Sequence, residues 1–261
     1  MSLVLASIHI YPVKSLGGFS VAEARLTDRG LEHDRRWMLV DAEGRFVTQR
    51  ELPAMACLHC APSGAGFRVT DVRGGDAIEL PWVLGEGASA MAEVWGDRVR
   101  LVMAPAAWSA WFGERLGRAV RLGYMPDATR RPADGRYADA LTSLSDGFPY
   151  LLVSQASLDD LNARLPEPIG MERFRPNLVV AGGTAFQEDG WKAVAIGGAR
   201  FRMVKPCARC AITATDQGTG ERGKEPLRTL AAYRARNGKV LFGMNAVGEG
   251  HSVRVGDLVA L

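Results

Sequence analysis

Short runs of alternating polarity cut by glycine turns leave a chain little choice but antiparallel sheet, and that pattern dominates this sequence. Strands are expected over 66–72, 77–80 and 94–103, the last broken at Gly96-Asp97. The chain opens in the same manner over 3–13 and 19–26. The run Arg35-Arg36-Trp37-Met38-Leu39-Val40 passes through Asp41-Ala42-Glu43-Gly44, a hairpin-turn composition, into a returning strand over 45–49. Helical periodicity is confined to three places. One is 105–120, with Trp108, Trp111, Phe112 and Leu116 on one side. The second starts at Ser154 or Ser157 and runs to about Leu165, with Ser157 and Asp160 spaced as a capping box. The third is 225–236. Further strands are expected over 150–153, 178–181, 191–196, 199–204, 211–214, 239–242 and 252–261. The fold class is therefore mainly β with a few helices. The polar, aperiodic stretch 124–140, which holds Arg130-Arg131-Pro132, marks a boundary between domains 1–125 and 126–261.

At 261 residues, 47% of them apolar, the chain has enough material for a sizeable core. Its 32 basic and 29 acidic residues are well mixed, so no nucleic-acid partner and no anionic membrane surface is expected. Four cysteines in two short-spaced pairs are too few to staple a protein of this size. With no signal peptide before Met1-Ser2-Leu3 and no bilayer-length apolar run, a reducing, cytoplasmic setting and no membrane are expected.

The chemistry concentrates in 205–228. Cys207 and Cys210 lie among Lys205 and Arg209, and nearby positive charge favours thiolate, the form that binds soft metals or acts as nucleophile. The Cys-x-x-Cys spacing leaves four readings open: zinc, a redox disulfide, one metal-ligating thiolate beside a bystander, or two small buried hydrophobes. A second pair, Cys57 and Cys60, is too far away in sequence for a zinc ribbon, so a buried edge with a spare His59 is the preferred reading. Gly218 to Lys224 spells G-x-x-x-x-G-K, but Glu225 follows where a phosphate loop needs Ser or Thr for magnesium, so 216–223 reads as a glycine-rich surface loop. Three corners invite an anion. In Tyr11-Pro12-Val13-Lys14-Ser15-Leu16-Gly17-Gly18, backbone N–H groups, a lysine and a hydroxyl can converge. Strand alternation sends one of Arg35 and Arg36 inward, and Arg175 stands before Pro176 at the mouth of an apolar strand.

Taken together, Tyr11-Pro12-Val13-Lys14-Ser15, Asp34-Arg35-Arg36-Trp37, Ser157-Leu158-x-x-Leu161-Asn162, Phe174-Arg175-Pro176-Asn177 and Cys207-Ala208-Arg209-Cys210 form an ordered set. The set resembles the MOSC proteins with an N-terminal β-barrel domain, the mitochondrial amidoxime-reducing components and their YcbX-like bacterial relatives. The match continues through Lys224-Glu225-Pro226-Leu227, Leu241-Phe242-Gly243 and Val255-Gly256-Asp257. This resemblance implies a MOSC β-barrel domain preceded by a smaller β-rich barrel domain, with a molybdenum–molybdopterin cofactor (Moco) between them. It implies Cys210 as the catalytic thiolate ligand to molybdenum, with Cys207 as packing. By the same carry-over Lys14, Ser15, Arg35, Arg175, Asn177 and Arg209 grip the pterin and its phosphate, and Asp146 and Asn245 contact the cofactor. The implied activity is reduction of small N-hydroxylated compounds such as amidoximes and hydroxylamines. Electrons would come from a separate ferredoxin-, flavodoxin- or cytochrome-like protein, because no cysteine cluster for an iron–sulfur centre is present. Arg130, Arg131, Arg136, Arg222 and Lys224 are the expected docking cations for it. The alternative is a cofactor-binding, carrier or sulfur-transfer module without turnover, since MOSC domains also occur in molybdenum-cofactor sulfurases.

Overall fold

The computed structural model describes residues 2–261, and its largest element is a nine-stranded sheet. Along the sheet the order is Val259–Ala260, Ala193–Ile196, Ala199–Ala208, Lys239–Glu249, Tyr150–Ser154, Leu178–Ala181, Val4–Ile10 and Phe19–Val21, with Ala235–Arg236 paired to one end of Lys239–Glu249. Leu178–Ala181 is apolar throughout because it is a central strand. It runs parallel to Tyr150–Ser154 on one side and antiparallel to Val4–Ile10 on the other. The parallel pairing needs a crossover, which the helix Gln155–Asn162 supplies, burying Leu158 and Leu161 against Val153 and Phe174. The opposite face packs Leu5, Ile8, Leu152, Val180, Phe201 and Ala246 into the main core. Val4–Ile10 and Phe19–Val21, from the first expected domain, thus sit in a sheet made mostly by the second.

The rest of the first half forms two small antiparallel sheets. One orders Trp37–Val40, Arg121–Tyr124, Asp97–Met103 and Ser89–Val94; the other is the meander Leu58–Ser63, Gly66–Asp71 and Ala77–Pro81. Trp37, Phe67, Phe112 and Leu122 fill the core between them. The helix Ala106–Leu116 lays Phe112 and Leu116 onto that core and stops at Gly117, whose φ of 61° is the left-handed conformation that ends helices. The mainly β class expected from the sequence holds, as do the strands expected over 66–72 and 77–80.

Several local expectations give way to tertiary contacts. The β-branched run after Cys210 is a 3-10 turn, Ala211–Ala214, not a strand: the Thr213 hydroxyl donates to the Cys210 carbonyl at 3.0 Å and closes the turn locally. Ser157 forms no capping box, because its hydroxyl points instead to the buried carboxylate of Glu188 at 2.7 Å; the helix starts one residue after Ser154 and ends at Asn162. Residues 45–49 make isolated bridges rather than a strand, since the true neighbour of Trp37–Val40 is Arg121–Tyr124. The last helix is shorter than expected, Leu227–Arg234, and the first spans Ala106–Leu116.

Candidate functional site

Between the large sheet and the first-half sheets lies a cleft of about 130 Å³. Its wall is built where regular structure breaks. The strand Ala199–Ala208 shifts register between Met203 and Lys205 and again between Pro206 and Ala208, and such bulges re-aim side chains, here at Cys207 and the Arg209-Cys210 pair that follows. Its partner strand bends at Gly243, with φ of 75°. A side chain there would lie 2.7 Å from the Val153 Cγ2 and 2.9 Å from the Leu152 carbonyl, so only glycine lets the strand pass and place Asn245 in the wall.

All nine residues expected at the site line this cleft: Lys14, Ser15, Arg35, Asp146, Arg175, Asn177, Arg209, Cys210 and Asn245. Cys207 lines it too, together with Arg50, which the sequence had not singled out. Five cations therefore face one carboxylate, Asp146. Three non-glycine members, Ser15, Arg35 and Arg175, hold φ at 66°, 49° and 56°, a left-handed backbone that side-chain-bearing residues rarely adopt. Their clustering at one cleft shows local geometry sacrificed to aim these groups.

The cations are mutually braced. Asp34, buried beneath the cleft, receives the Tyr11 backbone N–H at 2.9 Å and the Arg35 guanidinium at 2.6 Å. Arg35 also donates to the Arg175 carbonyl at 3.1 Å and to the Asn177 side-chain oxygen at 3.3 Å. The Tyr11 ring lies between the two guanidiniums, 4.5 Å from that of Arg35 and 4.3 Å from that of Arg175. Arg175 is buried, and burial, with Arg35 adding to it, pulls it down to about 10, still charged at neutral pH. Asn177 joins strands, its amide oxygen accepting from the Leu151 N–H at 3.2 Å and its amide nitrogen donating to the His9 carbonyl at 3.3 Å.

Lys14 is 4% exposed and donates to the Leu144 carbonyl at 2.8 Å and to Asp146 at 2.6 Å. Burial lowers its ammonium to about 8 even though Asp146 opposes the shift. Burial works against ionisation of Asp146, yet Lys14 and Arg50 outweigh it and hold the carboxyl well below its usual range. Arg209 donates to Cys207 Sγ at 3.0 Å and to the Phe174 carbonyl at 2.7 Å, while its Nε is buried without an acceptor. An orphaned cationic N–H in a cationic cleft is a position waiting for an anion.

The other sequence motifs fall outside the cleft. Cys57 and Cys60 are buried in the first-half core and, among the described residues, no group of three or more His, Cys, Asp or Glu surrounds a common metal position, so the two pairs form no joint zinc site. Residues 216–223 form a loop tied to the first half: His59 bonds the Gln217 carbonyl at 2.8 Å, and Arg222 donates to the carbonyls of Gln49 and Arg50. Two of the expected docking cations are thereby corrected. Arg131 is 2% exposed and spends its fork on Asp97 and the carbonyls of Ser143, Ser145 and Asp146; Arg222 ties its loop to Gln49 and Arg50. Both Arg35 and Arg36 turn inward, where one was expected, because Arg36 finds the Met125 carbonyl and Asp127.

A cationic cleft with a thiol, at the seam of two β units, fits the sequence family comparison. The MOSC domain model matches residues 139–260, and the MOSC N-terminal beta barrel domain model matches residues 2–119. Mitochondrial amidoxime reducing component 2 of Rattus norvegicus is 33% identical over 285 residues, covering 98% of this chain and 82% of the relative.

This chain belongs to the MOSC family.

The MOSC chain is also 32% identical to mitochondrial amidoxime-reducing component 1 of Homo sapiens, over 88% of itself and 72% of that protein. Against molybdenum cofactor sulfurase of Oryza sativa subsp. japonica it is 34% identical over 92% of itself, but it spans only 32% of that relative's length. The MOSC chain thus covers about a third of the curated sulfurases it matches and most of the amidoxime-reducing components. No helix among its described residues is long and apolar enough to cross a membrane.

Proposed function

We propose that this MOSC protein is a molybdenum-cofactor oxidoreductase that reduces N-hydroxylated compounds with electrons from a separate ferredoxin-, flavodoxin- or cytochrome-like protein. The observation that carries the proposal is the Cys210 thiol set in a wall whose other charged groups are five cations and one neutralised carboxylate. A soft thiolate suits molybdenum, and four of the cations, Lys14, Arg35, Arg175 and Arg209, suit a phosphate-bearing pterin. The unpaired Arg209 Nε and the three strained backbones of Ser15, Arg35 and Arg175 are features of a cradle built for an anion, so the residues present fit the group.

In this reading Cys210 supplies the protein's ligand to the metal. Arg35 and Arg175, fixed by Tyr11 and Asp34, hold the phosphate with Lys14 and Ser15. Arg209 and Asn245 contact the pterin side, Asn177 holds Arg35 in line, and Asp146 keeps Lys14 and Arg50 in place. When bound, the cofactor supplies two-electron chemistry at the substrate oxygen. For a hydroxylamine, the N–O bond breaks, two electrons come from the donor protein and two protons from solvent, and the products are amine and water. The protein's part is to hold the cofactor and surround the leaving oxygen with donors.

The amidoxime-reducing relatives favour turnover because the chain covers most of their length, and the sulfurases favour a carrier. Protein made in a host that synthesises the cofactor separates the readings. Near-stoichiometric molybdenum with multiple-turnover reduction of a hydroxylamine by a chemical donor supports the reductase. Molybdenum without turnover supports the carrier module, and a metal-free protein from such a host sinks both.

A further inference from the structure

Arg50 is the one cation of the cleft that the cofactor reading leaves without a task. Lys14 and Arg35 are deep, with side chains 5% and 11% exposed, each anchored from behind by part of its donor set while the rest faces the cleft in the cofactor reading. Arg50 sits nearer the mouth, with a quarter of its side chain exposed, and its guanidinium lies beside the Cys210 thiol. It donates to Asp146 at 2.7 Å and stacks 4.7 Å from the Trp95 ring. That ring is braced in turn: its indole N–H donates to Asp146 at 3.0 Å and it packs 5.0 Å from Phe46. Trp95 holds φ at 55°, a costly conformation for a bulky residue, at the tip of the hairpin joining Ser89–Val94 to Asp97–Met103. From behind, Arg222 donates to the Arg50 carbonyl at 3.0 Å. Backbone, ring and carboxylate thus fix one planar fork next to the thiol. A guanidinium carries five N–H donors. Asp146 and the neighbouring thiol leave part of that fork without a partner among the described residues.

We infer that Arg50 binds the substrate itself, donating to the oxygen of its N–O group at the mouth of the cleft beside Cys210. This rests on the reading above, in which Cys210 is the thiolate to the metal, because only then is the free fork adjacent to the reacting oxygen. The ligand class is a small N-hydroxylated compound with an unhindered oxygen. Charge grows on that oxygen as the N–O bond breaks, so the bond from Arg50 strengthens toward the transition state and acts on kcat as well as KM. Trp95 is a positioning residue that fixes the plane in which the fork lies.

The test uses the molybdenum-loaded protein with Arg50→Gln, Arg50→Lys and Trp95→Phe. Molybdenum per chain should stay at the wild-type level in all three. Loss of a charge-assisted bond should lower kcat/KM about 10- to 100-fold in Arg50→Gln. Arg50→Lys, which keeps charge but not the fork, should fall between it and wild type. A second readout needs no turnover: the oxidised, loaded protein titrated with a hydroxylamine in the absence of reductant should change its indole emission. That change should vanish in Trp95→Phe and weaken in Arg50→Gln. Full molybdenum with unchanged kcat/KM in Arg50→Gln overturns the assignment, and so does molybdenum loss in step with activity, which would make Arg50 part of the cofactor grip. A wild-type arm that holds molybdenum but never turns over sinks the reductase reading, and the Arg50 assignment with it.

Discussion

The chain carries the same four-residue motif, Cys-x-x-Cys, twice, in surroundings that share almost nothing. Cys57 and Cys60 are 0% and 3% exposed in the first-half core; burial pushes both thiols up, Cys60 to about 12. Cys207 and Cys210 are half-buried in the wall of a cleft with five cations. The first pair behaves as small hydrophobes and the second as candidate ligands, so the chemistry of a Cys-x-x-Cys is set by what surrounds it rather than by its spacing.

The sharpest way to break this comparison is to exchange sulfur for oxygen at each position. Cys210→Ser should lose molybdenum-dependent turnover by about 1000-fold or more, as expected when a metal ligand is removed, with the melting temperature nearly unchanged. Cys207→Ser should cost a few-fold at most, on the order of one weak hydrogen bond with Arg209. Cys60→Ser should do the opposite, leaving turnover per molybdenum intact while lowering stability by about 1–3 kcal/mol in a urea titration, because a hydroxyl replaces a buried thiol. Serine at 207 proving lethal while serine at 210 is silent would exchange the two roles.

Next in size are the cations that distinguish the second pair's surroundings. Arg35→Ala and Arg175→Ala should each lower molybdenum content under limiting cofactor, since each removes a charge-assisted contact of about 1.5–3 kcal/mol. Elemental analysis should register the loss before thermal melting does, and full occupancy in both would make them structural.

Native-state thiol labelling at mildly alkaline pH sharpens the contrast without mutation. A small disulfide reagent should modify the cleft pair of the cofactor-free protein well before the core pair, whose reaction should wait for unfolding. Comparable rates for all four would mean the first-half core opens easily.

The smallest expected effect is a pH dependence. Burial brings Lys14 to about 8 in the folded, cofactor-free protein, so it is charged below that pH and neutral above. Sulfate, whose own charge is constant over this range, should therefore bind the cleft more weakly as pH rises from 7 to 9, by a few-fold. The same depressed value means that stability gains with rising pH between about 8 and 10.5, because the unfolded lysine binds its proton more tightly than the folded one. A flat sulfate isotherm would put Lys14 outside the anion's reach.

What the sequence reveals and what it hides follow one rule. Lys14, Arg35, Arg175 and Cys210 were legible because each stands in a local motif whose composition already suggests a corner, a strand mouth or a reactive thiol. Arg50 was not, since Gln49-Arg50-Glu51 has no local signature and acquires its place only through Asp146, Trp95 and Arg222, all distant in the chain. Ser157 shows the same limit in reverse. Its capping-box spacing is correct, but a buried Glu188 offers a better acceptor. The turn after Cys210 was misread because β-branched residues favour strands on average. Here the chain has just left the sheet, and Thr213 closes back on the Cys210 carbonyl.

The pairing of Val4–Ile10 with Leu178–Ala181 has a consequence for how this protein is made. The first strand leaves the ribosome long before its partner exists, and it must wait in solution or in the hands of a chaperone until most of the chain has followed. A fragment beginning at residue 126 would present Leu178–Ala181, apolar on both faces, as a raw sheet edge, which is a template for aggregation. The halves should thus be recoverable as soluble, complementing pieces only if the strand Val4–Ile10 travels with the second.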